Sequence, residues 1–141
     1  MRRQRRLAFS LIELVVVILI LGIIAAVATP RLFSTVDNAE KQTTRQQLAL
    51  VRNALQIYRS QNTAYPTGAT LATDLAPLIN GTFPQVGFGP NKGDAGVSVD
   101  ATNSDAAITA ATGTDTNGWR YKPQTGEFKL NLNASAPEWN W

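Results

Sequence analysis

Neither cysteine nor histidine occurs in this 141-residue chain. Without a thiol there is no disulfide framework, and without an imidazole the Ser-His-Asp and Cys-His nucleophile arrangements and the usual zinc sites are excluded together. An enzymatic function therefore begins without its commonest groups. Charge of one sign is also scarce, except in one place. Thirteen Lys and Arg stand against ten Asp and Glu for a net +3, but Arg2, Arg3, Arg5 and Arg6 sit together at the start. Removing these four from the thirteen leaves nine basic side chains against ten acidic ones. No concentrated basic face remains for phosphate, so no nucleic-acid partner is indicated. Four arginines flanking an apolar run read instead as a cytoplasmic topology signal.

That apolar run is the dominant feature of the chain. From Leu11 to Ala28 every residue is Leu, Ile, Val, Ala or Gly22, apart from Glu13, and Pro30 follows two residues later. At about 1.5 Å per residue, a helix of this length is close to the ~20 residues that cross a bilayer. A carboxylate there costs roughly 2.5–3.5 kcal/mol at the bilayer centre and less near an interface, so Glu13 asks for a compensating partner. Three readings compete. A cleaved secretory signal explains the basic start and the A-x-A pattern of Ala26-Val27-Ala28, yet its apolar stretch would exceed the usual ~7–15 residues and hold a carboxylate. A plain single-pass anchor fits the length and gives no reason for Glu13. An anchor built to bind something inside the membrane accounts for both. Gly22 and Ala26, at i and i+4, form a small-xxx-small pair of the kind that lets membrane helices approach closely.

Beyond Pro30 the helical pattern persists but changes character, and a kink is expected at the proline because its ring clashes with the preceding turn and removes a hydrogen bond. Leu48, Val51, Leu55 and Tyr58 form one row and Leu50, Ala54 and Ile57 an adjacent one, giving a broad apolar stripe, while Glu40, Lys41, Arg45, Arg52 and Arg59 lie opposite. The helix should end near Gln61-Asn62, before Tyr65-Pro66-Thr67-Gly68. Thr70 to Ile79 reads as a short helix capped by Thr70, with Leu71, Leu75 and Leu78 on one side and Pro77 arguing for an early end. Val97-Ser98-Val99 is a candidate strand, and Asp100 to Thr116 is a long loop or mobile region with Ile108 its one large apolar residue. Trp119 to Lys122 and Glu127 to Leu132 alternate around Pro123-Gln124-Thr125-Gly126, the signature of a hairpin. The expected class is α+β: a long N-terminal helix, half transmembrane and half amphipathic, packed on a small antiparallel sheet.

The segment Ala8-Phe9-Ser10-Leu11-Ile12-Glu13-Leu14, with the Val/Ile/Leu run, Gly22 and Pro30 behind it, resembles the N-terminal signal of type IV pilins and of the pseudopilins of type II secretion. Ala8 stands where that family usually has Gly. The resemblance implies the pilin "lollipop" fold, with residues 1–8 as a cleaved leader, 9–30 as a transmembrane and filament-core helix, 31–62 as its amphipathic half and 63–141 as a globular domain. It implies cleavage between Ala8 and Phe9 by a prepilin peptidase, N-methylation of Phe9, and residence in the bacterial inner membrane with the globular part on the periplasmic side. An inner-membrane assembly platform would then pack the subunit, helix to helix, with copies of itself and other pilins or pseudopilins in a helical filament. Phe9, Glu13, Gly22 and Pro30 are the implied assembly residues. Physically, a Phe9 ammonium on one subunit can neutralise Glu13 on its neighbour. Such a pair adds little net stability but sets register, since a misplaced subunit would bury both charges alone.

Major pseudopilins of this kind often hold calcium in a late loop, which makes Asp94, Asp100, Asp105 and Asp115 the candidate ligands, against the plainer reading of solvated loop carboxylates. Their spacing matches no recognisable calcium motif. Trp119 reads as core, and Trp139-Asn140-Trp141 as packing on the sheet in preference to contact with a neighbour. The sequence favours a structural pseudopilus subunit of type II secretion, with a type IV pilus pilin (major, minor or competence) as runner-up. A secreted soluble binding domain, released by ordinary signal peptidase at Ala28, is the alternative of a different class.

Overall fold

In a computed structural model of the chain, residues 9–102, 105–110, 115–132 and 136–141 are described. Ala8 and the four leader arginines fall outside them. In chain order come α1 (Leu11–Gln61), α2 (Leu71–Ile79), β1 (Val97–Val99), β2 (Trp119–Lys122), β3 (Glu127–Leu130) and a 3-10 turn at Pro137–Asn140. The chain divides into two compact units, one ending at Asn38 and the other running from Ala39 to Trp141.

In the first unit α1 runs helical through Pro30, although the proline offers no N–H to the preceding turn. Hydroxyls cluster around that gap. Thr29 donates to the Ala25 carbonyl at 2.7 Å, and Ser34 and Thr35 both donate to the Arg31 carbonyl at 2.9 Å.

The second unit is built on the last part of α1, where Leu48, Val51, Ala54 and Leu55 are buried. Of the expected second row Ala54 joins them, while Leu50 and Ile57 are 43% and 45% exposed. Leu50 lies two residues beyond Leu48 and is rotated by about 200° at 3.6 residues per turn, so it belongs to the back of the helix. α2 closes one side of the core through Leu71, Leu75 and Ile79. Ile79 takes the inward position expected of Leu78, which is partly buried, as an i, i+4, i+8 row requires. Thr70 is the N-cap residue but makes no side-chain capping bond; its hydroxyl bonds Thr67 instead. The helix passes Pro77 and ends at Asn80, which adopts the left-handed conformation.

The sheet has the order β1-β2-β3 and is mixed. β2 and β3 form the antiparallel hairpin read from the sequence, pairing Trp119 with Leu130 and Tyr121 with Phe128. β1 corrects the antiparallel expectation, for it pairs with β2 in parallel, Val97 opposite Trp119 and Val99 opposite Tyr121. Residues 100–118 separate the two strands, long enough for the crossover that a parallel pair needs. Trp119, Tyr121, Phe128 and Leu130 join the buried α1 and α2 residues in one cluster. Trp119 stacks on Phe128 at 5.2 Å. Both buried polar tips are satisfied: Trp119 Nε1 donates to the Pro84 carbonyl at 2.8 Å and the Tyr121 hydroxyl to the Pro66 carbonyl at 2.7 Å.

The end of the chain packs against part of the charged side of α1. Lys41 pairs with Glu138 at 2.7 Å, Arg45 lies 4.1 Å from the Trp141 ring centre, and Arg52 donates to the carbonyls of Phe128 and Trp141. The hydrogen bond from Lys41 holds the Glu138 carboxyl below its ordinary value. Trp139 is buried, so the terminal tryptophans pack within this unit.

The Ala/Thr/Asp-rich segment is organised by Asp100, only 2% exposed. Its carboxylate accepts from the backbone N–H and hydroxyl of Thr102 and of Thr109. Burial pushes this carboxyl up, but the four donors outweigh burial and hold it well below the usual carboxylate range. Nearby, the Lys122 ammonium donates to the Ala106 carbonyl at 2.7 Å and the Ile108 N–H to Glu127 at 2.5 Å.

Two outcomes are expected in denaturant unfolding of the full chain, followed by tryptophan fluorescence. Gly126 sits at φ 72° with the Tyr65 ring within 2.4–2.7 Å of where a Cβ would stand, so Gly126→Ala should lower stability by about 1–3 kcal/mol. Asp100→Asn, which turns an acceptor into a donor facing donors, should cost about 1–3 kcal/mol at neutral pH. Because the folded value of Asp100 lies below the unfolded one, its contribution is complete above about pH 4 and is lost as pH falls through the folded value, where wild type and variant should converge.

Candidate functional site

The site lies in the first unit and begins with an unburied surface. From Leu11 to Val27 the large apolar side chains of α1 are all 40–81% exposed, with Leu32, Phe33 and Val36 adding to them. α1 is the one helix among the described residues long and apolar enough to cross a membrane, and none of its apolar window is buried. A helix that is apolar all round needs an apolar surrounding, lipid or other helices.

Glu13 lies in the first turn of this helix and shares one face with Phe9, Ile12, Val16 and Val17, which together line a shallow apolar hollow. Its carboxylate is not free. Glu13 Oε2 accepts a hydrogen bond from the Ser10 backbone N–H at 3.0 Å, while the Ser10 carbonyl accepts from Leu14 N–H. Ser10 is therefore the N-cap and Glu13 the third helical residue, the reciprocal arm of a capping box. Its signal in the sequence is Ser10-x-x-Glu13 ahead of an apolar run. A carboxylate at this end also faces the positive pole of the helix dipole.

Phe9 precedes the helix and is 86% exposed. Ala8 lies outside the described residues. Gly22 and Ala26 fall on an exposed stretch of α1, and a Cβ at Gly22 would meet nothing within 4 Å. Pro30 lies within α1.

The four aspartates of the second unit are not gathered into a cation site, since no group of three or more acidic side chains converges among the described residues. Asp94 accepts from the backbone N–H groups of Gly96 and Gly118, and Asp100 from Thr102 and Thr109 as above. Asp115 accepts from the Ser98 hydroxyl and from the Asn117 backbone and side chain. Burial pushes the Asp115 carboxyl up and these bonds bring it below its usual value. Asp105 is exposed. Calcium requires about six to eight converging oxygens, and three of these carboxylates accept hydrogen bonds from protein donors.

Comparison with known proteins bears on both units. A family model described as "Prokaryotic N-terminal methylation motif" matches residues 3–29. A second, "Type II secretion system (T2SS), protein G", matches residues 31–84. Among individual proteins, the chain is 39% identical over 67 residues to a type II secretion system core protein G of Klebsiella michiganensis, covering 48% of this chain and 47% of that one. A protein of the same name from Dickeya chrysanthemi is 34% identical over 92 residues, 62% of this chain and 59% of that one, and one from Pseudomonas aeruginosa is 37% identical over 67 residues, 48% and 47%. The chain thus spans about half the length of the relatives it matches. No solved structure gives a significant match. With a methylation motif over the apolar helix and the protein G pattern continuing directly behind it, the chain is similar over residues 3–84 to the pseudopilins, the type IV pilin-like proteins of type II secretion.

Proposed function

We propose that the chain is a structural, non-enzymatic subunit of a type II secretion pseudopilus. In this reading a prepilin peptidase cuts between Ala8 and Phe9 and the new Phe9 amine is methylated. Residues 9–30 hold the subunit in the inner membrane with the globular part on the periplasmic side. An assembly platform then transfers it into a helical filament of copies of itself and other pseudopilins. The observation that carries the reading is the all-round exposed apolar surface of α1, interrupted by a carboxylate on one face. Lipid satisfies the surface but not the carboxylate; neighbouring helices bearing an N-terminal ammonium satisfy both.

The part played by Glu13 is registration. A Phe9 ammonium from a neighbour and the Glu13 carboxylate offset one another in an apolar core, while a subunit out of step leaves two buried charges unpaired. A type IV pilus pilin is the second reading; both family matches end by residue 84, so the sheet and the loops around it lie outside them.

Mass spectrometry of the mature protein tests the reading directly. The expected product begins at Phe9 with one added methyl group, whereas a chain beginning at Thr29 would show release by ordinary signal peptidase and sink the filament reading. Glu13→Ala subunits co-expressed with wild type should be largely absent from the wild-type filament, since each would leave a buried ammonium alone at ~3–5 kcal/mol. Incorporation in proportion to expression would refute registration.

A further inference from the structure

The sequence contains two Asn-Gly pairs, Asn80-Gly81 and Asn117-Gly118, and the fold treats them oppositely. We infer that Asn80 is a site of spontaneous covalent modification, converted to aspartate and isoaspartate through a cyclic imide, while Asn117 is protected from the same chemistry. This chemistry belongs to the second unit alone and does not depend on the filament reading.

Two atoms must meet for it to occur. The deprotonated backbone nitrogen of the glycine attacks the asparagine Cγ, a new N–C bond closes a succinimide ring, and the side-chain nitrogen leaves as ammonia. Water then opens the ring. Breaking the ring bond at Cγ gives aspartate, and breaking the one at the backbone carbonyl carbon gives isoaspartate, whose main chain runs through the side chain. Water is the one co-reactant. Glycine favours the attack because it has no Cβ to crowd the nitrogen or restrict its backbone.

At Asn117 both reacting groups are held. Its side-chain amide donates to Ser98 Oγ at 2.8 Å and to Asp115 Oδ1 at 3.1 Å, and the Gly118 N–H donates to Asp94 at 2.7 Å. The Asn117 carbonyl accepts from Asn91 and Asn131, both at 2.7 Å, and Gly118 is buried. Reaction there requires these bonds to open together. Asn80 and Gly81 are instead exposed, and neither the Asn80 amide nor the Gly81 N–H has a hydrogen-bond partner among the described residues. Asn80 ends α2 at φ 50° and ψ 46°, which turns the Gly81 nitrogen away from Cγ, so this peptide must rotate before it reacts. The rotation leaves a left-handed conformation that an L-residue holds at a cost, and it disturbs only the last turn of a nine-residue helix. A Cβ on Gly81 would meet nothing within 4 Å, so there is room for the movement. The product places a carboxylate at the negative end of α2, beside the buried Ile79.

The test incubates the full chain, folded in detergent micelles, in warm and mildly alkaline buffer. Peptide mass spectrometry follows the exchange of amide NH2 for OH at each site, with electron-transfer fragmentation separating isoaspartate from aspartate. Asn80 is expected to convert about a hundredfold faster than Asn117, the ratio implied by three additional hydrogen bonds at the protected pair. In the urea-unfolded chain the two sites should react at similar rates. Gly81→Ala, which the open surroundings accommodate, should slow Asn80 several-fold and leave Asn117 unchanged. A ratio below about tenfold in the folded chain overturns the assignment of Asn80, as does a Gly81→Ala chain that converts at the wild-type rate. A ratio that survives unfolding overturns the protection of Asn117 by the fold.

Discussion

Burial of Leu48, Val51, Ala54 and Leu55 beneath the hairpin is the contact on which residues 39–141 depend. The sheet is small, with strands of three and four residues, and strands so short do not hold together on their own. They persist because Trp119, Tyr121, Phe128 and Leu130 have a preformed helical ridge to cover, and α2 completes the enclosure with Leu71, Leu75 and Ile79. Hydrogen bonds then fix positions rather than supply the drive. Thr44, wholly buried, illustrates this: its hydroxyl donates to the Glu40 carbonyl and accepts from Gly87 N–H, tying the loop before β1 to the helix. A Cβ at Gly87 would come within 2.8 Å of that hydroxyl, so the approach is one that glycine permits.

Local patterns made much of this readable. The apolar run, the end of α1, α2, the hairpin and its turn each announce themselves within a window of a dozen residues, through hydropathy period and turn chemistry. The readings that needed revision depend on contacts distant in sequence. Nothing near Val97 says whether it meets Trp119 in parallel or antiparallel fashion; the crossover length permits the first, and packing selects it. Lys41, Arg45 and Arg52 look like a solvated face until the terminal segment arrives over them from nearly a hundred residues away. Asp100, Asp94 and Asp115 resemble loose loop acids, and their donors, from Thr102 and Thr109 to Gly118 and Asn117, become donors only once the loops have closed.

At the candidate site the situation is reversed. Glu13 was identified from its oddity in an apolar run, and its partner within the chain was only three residues away in the sequence. The local signal is Ser10-x-x-Glu13 ahead of an apolar run, and what it marks is the start of the helix.

Pulled along its axis, α1 behaves as a stack of springs in series. Each turn bears the same load, and the turn with fewest hydrogen bonds stretches first. The bond that Pro30 cannot make leaves one such turn, and Thr29, Ser34 and Thr35 surround it with hydroxyls already bonded to the Ala25 and Arg31 carbonyls. Those side chains can keep carbonyls satisfied while the backbone lengthens. Under axial load α1 would therefore yield first near Pro30, which places the compliance of the helix beyond the Gly22–Ala26 surface and away from the Glu13 end.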